Sequence, residues 1–436
     1  MRAPLSTRGV HTHSAGLGDK IVWGKCSDVW DETKNPEGYV PLGLAENTLM
    51  HKELRGFLNS KSLIDASARA LTYGDGPFGS KSLRHALTGF FNDYFHPVQP
   101  VQVDHLMITN GVTSAVEHCA WNLADPGEGI LLGRPYYRAF INAMQLRAGV
   151  QVVPVTFGGI DPCGLNCVEE YERALLESNS RGVRIRALLL SHPHNPLGRF
   201  YTRQTIVRLM ELCQKHSIHL IIDEIYALST WENTADSSEV KPADFVSVLS
   251  INTQGVIDPS LVHVLWGASK DFGANGLRLG VMVSQANPDL VSACRACAYF
   301  SSPSSLAENA LRAVISDHTF LEEYLSVNRS RISIAYEYAI RLLQDGGIEH
   351  MPGTTAAFFV WLNLGKKYVE RHPERARDKD GMEIANIVQE VINNKKVFLV
   401  GGEAMGAEEP GWFRMVFTQS PVDVAEGVKR IVEALS

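Results

Sequence analysis

The sequence predicts an α/β fold, a mostly parallel seven-stranded sheet covered by helices and joined to a smaller α+β domain. Three observations carry this. Seven short apolar runs have the continuous hydrophobicity of strands buried on both faces: HLMIT (105–109), GILL (129–132), VVPVTF (152–157), RALLLS (186–191), HLIID (219–223), VHVLWG (262–267) and LGVMVS (279–284). Between several of them lie stretches with helical spacing, such as VEEYERALLESN and RQTIVRLMELCQKH. After about residue 300 the pattern changes to long helices followed by VFLVGG and WFRMVF, which read as a second unit.

The chain has 436 residues, 45% hydrophobic and 20% charged, an ordinary globular composition with room for two or three structural units. A net charge of −7 argues against a nucleic-acid or anionic-membrane surface, and no apolar run is long enough to span a bilayer. The first 18 residues lack the apolar core of a secretory signal and read as an arm. Seven cysteines, an odd number, suit a reducing compartment, and the expected location is cytoplasmic. Cys294 and Cys297 form a single CxxC without a second pair or nearby histidine, so they are expected to be core thiols and no metal is predicted. GDGPFGSKS (74–82) imitates a phosphate-binding loop, but an extra serine precedes its lysine and no apolar strand leads into it.

Ligands of such sheets bind beyond the carboxyl ends of the strands. There, in chain order, HLMIT opens into a helix-like stretch that begins at Gly111-Val112-Thr113. RALLLS runs into HPHNPLG, with Asn195 ahead of Pro196. HLIID closes on Asp223, with Tyr226 three residues on. VHVLWG delivers Ser269 and Lys270, and Arg278 follows among glycines. Singly, each has an ordinary explanation as a cap or a turn residue. Lysine, however, is almost never fully buried unless something pairs or reacts with it. Together the four ends describe a receptor for pyridoxal phosphate. Its aldehyde needs an amine, its ring nitrogen an anion, its phenolic oxygen donors, and its phosphate a helix N-terminus with a cation.

At this point the chain resembles a family. SKDFGANGLRLG is similar to the lysine segment of fold-type I pyridoxal-phosphate enzymes of the aminotransferase class I and II group. The likeness leans towards 1-aminocyclopropane-1-carboxylate synthase-like proteins. PLGLAENTL, YGDGPFGSKSLR, TNGVTSAVE, GRPYYRAF, HPHNPLG, IIDEIYA and GWFRMVF extend it over nearly the whole chain. The resemblance implies an N-terminal arm with part of the small domain over 1–60, a large cofactor-binding domain over 61–305, and a C-terminal small domain over 306–436.

It also implies roles. Lys270 bonds the cofactor aldehyde and, once freed, shuttles the substrate Cα proton. Asp223 partners the ring nitrogen, Asn195 and Tyr226 serve the phenolic oxygen, and Tyr137 stacks on the ring. Gly111, Val112, Thr113, Ser269 and Arg278 form the phosphate cup. Arg414 clamps the substrate α-carboxylate, Glu46 lies near its side chain, and Tyr73 reaches the phosphate of a neighbouring subunit. A homodimer with active sites at the interface is expected, as is a cis peptide at Asn195–Pro196.

Five positions depart from the synthases: Gly267 for a serine, Pro77 for a tyrosine, Arg138 for a proline, and His192 and His194 beside the Asn-Pro turn. They question the substrate rather than the fold. The reading is a synthase-like enzyme acting on an α-amino acid by elimination with C–S cleavage. Transamination to a 2-oxo acid is the alternative.

Overall fold

The computed structural model describes residues 5–64, 68–236 and 245–436. Each of the seven apolar runs becomes a strand of one sheet: β1 (Leu106–Thr109), β2 (Gly129–Gly133), β3 (Gln151–Val155), β4 (Ile185–Ser191), β5 (His219–Asp223), β6 (Val262–Gly267) and β7 (Gly280–Val283). Their order is β1-β7-β6-β5-β4-β2-β3. β7 runs antiparallel to both of its neighbours, and the other six strands share one direction. The predicted helices form as Val112–Leu123, Cys167–Ser180 and Arg203–His216.

Register decides where the polar ends fall. Ser191 of β4 stands opposite Asp223 of β5, and Asp223 opposite Leu265 of β6. The loops carrying Asn195, Tyr226 and Lys270 therefore leave the sheet at one edge. The reversed β7 begins at that edge too, with Gly280 opposite both Thr109 and Gly267. A Cβ at Gly280 would come within 2.4 Å of the Gly111 carbonyl carbon and 2.5 Å of the Val112 nitrogen. Only a residue without a side chain lets β7 pass so close to the start of the Val112–Leu123 helix.

The second unit has a three-stranded antiparallel sheet of β8 (Phe359–Asn363), β9 (Val400–Gly401) and β10 (Trp412–Val416), with β10 in the centre. Arg414 sits on that central strand, opposite Trp361 and Val400. The long helix His318–Asp345 and the last helix, Pro421–Leu435, bury Ile332, Tyr336, Leu343, Val424 and Ile431. Residues 40–42 join this unit rather than the large sheet. The Phe398 amide donates to Val40 at 3.0 Å and the Val416 amide to Leu42 at 2.8 Å. This draws the segment Gly43–Asn47 across the edge where the large sheet's loops end.

The N-terminal arm is a helix, Thr7–Ser27, capped by the Ser6 hydroxyl. Lys25 ties it to Asn393 at 2.6 Å, while Ile21 and Trp23 face solvent. Among the described residues no helix is long and apolar enough to cross a membrane.

Candidate active site

Lys270 follows β6 on a single helical turn, Ala268–Asp271. Its amine donates to the Ala45 carbonyl, a group of the crossing segment. Burial pulls its pKa down to about 7, and the Arg414 and Arg278 charges push the same way, against the pull of Glu46 and Asp223.

Asp223 ends β5 with 5% of its surface exposed and accepts the Ile225 amide at 3.2 Å. Desolvation, partly offset by that amide and by Lys270, raises its carboxyl to about 7. A buried carboxyl so placed is held ionised by a cationic partner, such as a protonated ring nitrogen. Tyr226 is buried edge-on against Phe358 and Phe359, both at 5.5 Å, and burial raises its phenol.

Arg414 is the anchor on the small-unit side. Its Nη1 donates to Asn195 Oδ1 at 2.9 Å and its Nη2 to the Gly43 carbonyl at 2.7 Å, and the Phe359 ring lies 5.3 Å from its guanidinium carbon. The guanidinium is buried, and its Nε has no partner among the described residues. An arginine with a vacant donor in a buried setting suits a carboxylate ligand. The Asn195–Pro196 peptide, expected to be cis, is cis.

Around the phosphate side, a Cβ at Gly111 would lie 2.3 Å from an Arg278 guanidinium nitrogen, so the arginine rests against the backbone at the helix start. Gly111 has φ +110°, a conformation that favours glycine. Ser269 is buried, whereas Thr113 and Arg278 are exposed. Tyr137 packs edge-on to Phe140 at 5.3 Å, and burial raises its phenol. Arg414, Asp223 and Arg278 all act on that phenol.

Glu46 is half-buried and within electrostatic reach of Lys270. One chain thus brings together Lys270, Asp223, Tyr226, Asn195, Tyr137, Arg278, Arg414 and Glu46. Tyr73 stands apart, fully exposed on the surface.

Three of the departures, Gly267, His192 and His194, have local causes. A side chain at Gly267 would meet the Leu279 carbonyl at 2.6 Å and Val112 Cγ2 at 2.9 Å, so valine fills the space a serine would need. His192 serves packing rather than ligand binding. Its Nδ1 accepts the Tyr201 amide at 3.2 Å, its Nε2 meets the Val246 carbonyl at 3.0 Å, and burial lowers it to about 4. His194 is likewise buried and lowered to about 3. Phe78, next to Pro77, has the Arg84 and Arg295 guanidinium carbons 5.2 and 5.0 Å from its ring centre.

Two supporting residues escaped the sequence reading. Asp271, buried beside Lys270, accepts from Trp266 Nε1 at 2.9 Å, Ser229 Oγ at 2.7 Å and the Leu228 amide at 3.2 Å. It ties the lysine turn to the turn that carries Tyr226. Its place in the SKD triplet was the available signal. Phe359, behind Arg414, had none.

The model of the family described as aminotransferase class I and II matches residues 41–431. The chain belongs to this family. Its cofactor is pyridoxal 5′-phosphate, and the fold is fold-type I. The buried Asp223 and the close Gly111–Arg278 approach fit that group.

Among relatives, the "probable inactive 1-aminocyclopropane-1-carboxylate synthase-like protein 2" of Mus musculus is 30% identical over 94% of this chain and 68% of its own length. The "probable aminotransferase sirI" of Leptosphaeria maculans is 32% identical over 90% of each chain. A double mutant of Thermus thermophilus aspartate aminotransferase superposes over the whole of both chains with a TM-score of 0.75 at 20% identity, which speaks for the fold alone.

Proposed function

We propose that this family member acts on an α-amino acid by elimination with cleavage of a carbon–sulfur bond, as the resemblance to the synthase-like proteins suggests. The observation that carries the reading is Glu46, a carboxylate on the segment that crosses the site, within electrostatic reach of the Lys270 amine. A carboxylate there attracts a substrate whose side chain bears a sulfonium or another electron-poor sulfur. When bound, the cofactor supplies an electron sink for the pair left as a substrate Cα–H bond breaks.

The chain's own residues supply the rest. Lys270 holds the cofactor and, with a basicity near neutrality, takes and returns the Cα proton at Nζ. Asp223 keeps the ring nitrogen protonated, Asn195 and Tyr226 donate to the phenolic oxygen, and Tyr137 covers the ring face. The amides of Gly111, Val112 and Thr113, with Ser269 and Arg278, hold the phosphate. Arg414 orients the substrate carboxylate. Tyr73, fully exposed, completes the phosphate cup of a second copy, so the reading includes a homodimer and the domain division at residues 60 and 305.

Transamination is the second reading, favoured by the relative named a probable aminotransferase. One screen separates the two. The holoenzyme is mixed with amino acids, S-adenosylmethionine and cysteine conjugates. Elimination releases ammonia and a thiol or thioether without an amino acceptor. Transamination accumulates the amino form of the cofactor, and a 2-oxo acid reverses it. Absence of both, for every compound, would align the chain with its relative called probable inactive.

A further inference from the structure

The segment that crosses the site is tied along β10 and its continuation. The Val416 amide donates to the Leu42 carbonyl at 2.8 Å, and Arg414 Nη2 donates to the Gly43 carbonyl at 2.7 Å. Thr418, fully buried, donates from Oγ1 to the Glu46 carbonyl at 2.8 Å. Its own carbonyl accepts the Thr48 amide at 3.1 Å and the Thr48 hydroxyl at 2.9 Å. Between these ties the Ala45 carbonyl accepts from Lys270 Nζ and, at 3.2 Å, from Asn275 Nδ2.

The hydroxyl of Thr418 is the close side-chain donor to Glu46. The next one, Gln419 Nε2, stands at 3.5 Å, at the outer limit of a hydrogen bond. Glu46 and Arg414 act with opposite signs on the same Lys270 amine, so that amine lies within reach of one anion and one cation. Both charges are carried by backbone that β10 and its continuation hold.

We infer that Thr418 is a positioning residue that sets substrate length. By holding Glu46 to the strand that carries Arg414, it fixes the separation of the two charges. The substrate class is then an α-amino acid whose side-chain cation stands at one set distance from its carboxylate. This rests on the reading of Arg414 and Glu46 as the two ends of the substrate site, and it involves no bond to the cofactor.

Carboxylates that end in a trimethylammonium group test this, because a quaternary nitrogen forms no imine. A homologous series varies the number of methylenes between the charges, and the same chains ending in an uncharged tert-butyl group serve as controls. Binding to the holoenzyme is measured by calorimetry. The wild-type protein is expected to bind one charged length about tenfold more tightly than its neighbours in the series. Thr418→Val, which keeps the shape and removes the donor, is expected to reduce that ratio about fivefold, the equivalent of about 1 kcal/mol for one hydrogen bond. Thr418→Ser, which keeps the donor, preserves the ratio. The uncharged chains, which engage Arg414 alone, bind all three proteins alike.

A wild-type ratio in Thr418→Val, or an equal loss for charged and uncharged chains, overturns the inference. Should the valine variant fail to fold, Thr418→Ala lacks the same hydroxyl and carries the same expectations. A wild-type protein that favours the charged chains equally at every length overturns the inference and leaves the reading of Glu46 standing. One that binds charged and uncharged chains alike overturns that reading, and this inference with it.

Discussion

The floor of the site and its rim are built in opposite ways. Asp223, Asn195, Tyr226, Ser269 and Arg414 are each at most 5% exposed, and Asn195 and Arg414 are held to each other from segments far apart in the chain. On the rim, Thr113 and Arg278 are exposed, and Tyr73 projects entirely into solvent. The buried floor residues are therefore drawn together within one chain, while the rim is open to solvent. Chemistry at the aldehyde and carboxylate depends on a single fold. On the proposed reading, grip on the phosphate depends on what meets the rim.

Four substitutions break or sharpen that contrast. The largest effect is expected at the floor. Lys270→Ala abolishes the visible absorption band of the purified protein, and a retained band would refute the lysine assignment. Next, Arg414→Ala raises the Michaelis constant for an amino acid about 100-fold, through the loss of a charge-assisted carboxylate pair. An unchanged constant counts against the clamp.

Asp223→Asn is predicted to act with opposite signs in the two forms of the protein. In the cofactor-free chain Asp223 is raised from 3.8 to about 7 by burial. Between those values the folded chain keeps a proton that the unfolded chain has lost, so stability falls as pH rises through this window and stays lost above it. Removing the carboxyl relieves that cost, at most about 4 kcal/mol at pH 8, and raises the melting temperature of the cofactor-free protein. The holoenzyme variant melts lower, because its ring nitrogen loses an anion. Melting curves of both forms across pH decide it.

The smallest effect belongs to the rim. Tyr73→Phe weakens cofactor retention about fivefold, the worth of one hydrogen bond, and only in the associated form. Dilution through the dimer range, followed by sedimentation and cofactor release, checks both parts. Equal retention at all concentrations would leave Tyr73 outside the site.

Much of the floor was legible because each of its residues stands at the end of a buried apolar run, where a polar group has few uses. Lys270 after VHVLWG and Asp223 after HLIID are the clearest cases. Strand direction was not legible. The apolar character of LGVMVS says that it is buried and nothing about which way it runs, so the reversal of β7 emerges from the register alone. The histidines of HPHNPLG were expected beside the ligand. Both are buried, and the residues that satisfy His192, Tyr201 and Val246, follow at positions whose meeting no local pattern encodes. Asn275 and Ala45 are 230 residues apart in the chain and meet only once both units are assembled.

The reversed strand carries a consequence for engineering. Because β6 arrives at the edge and β7 departs from it, one short loop delivers both the Lys270 amine and the Arg278 guanidinium, and their spacing is set by that loop's own length. Lengthening it by a few residues would uncouple two chemical tasks in a single stroke. Transplanting it into another scaffold would require a bare backbone at the position of Gly280, or the guanidinium would lose its seat against the neighbouring helix.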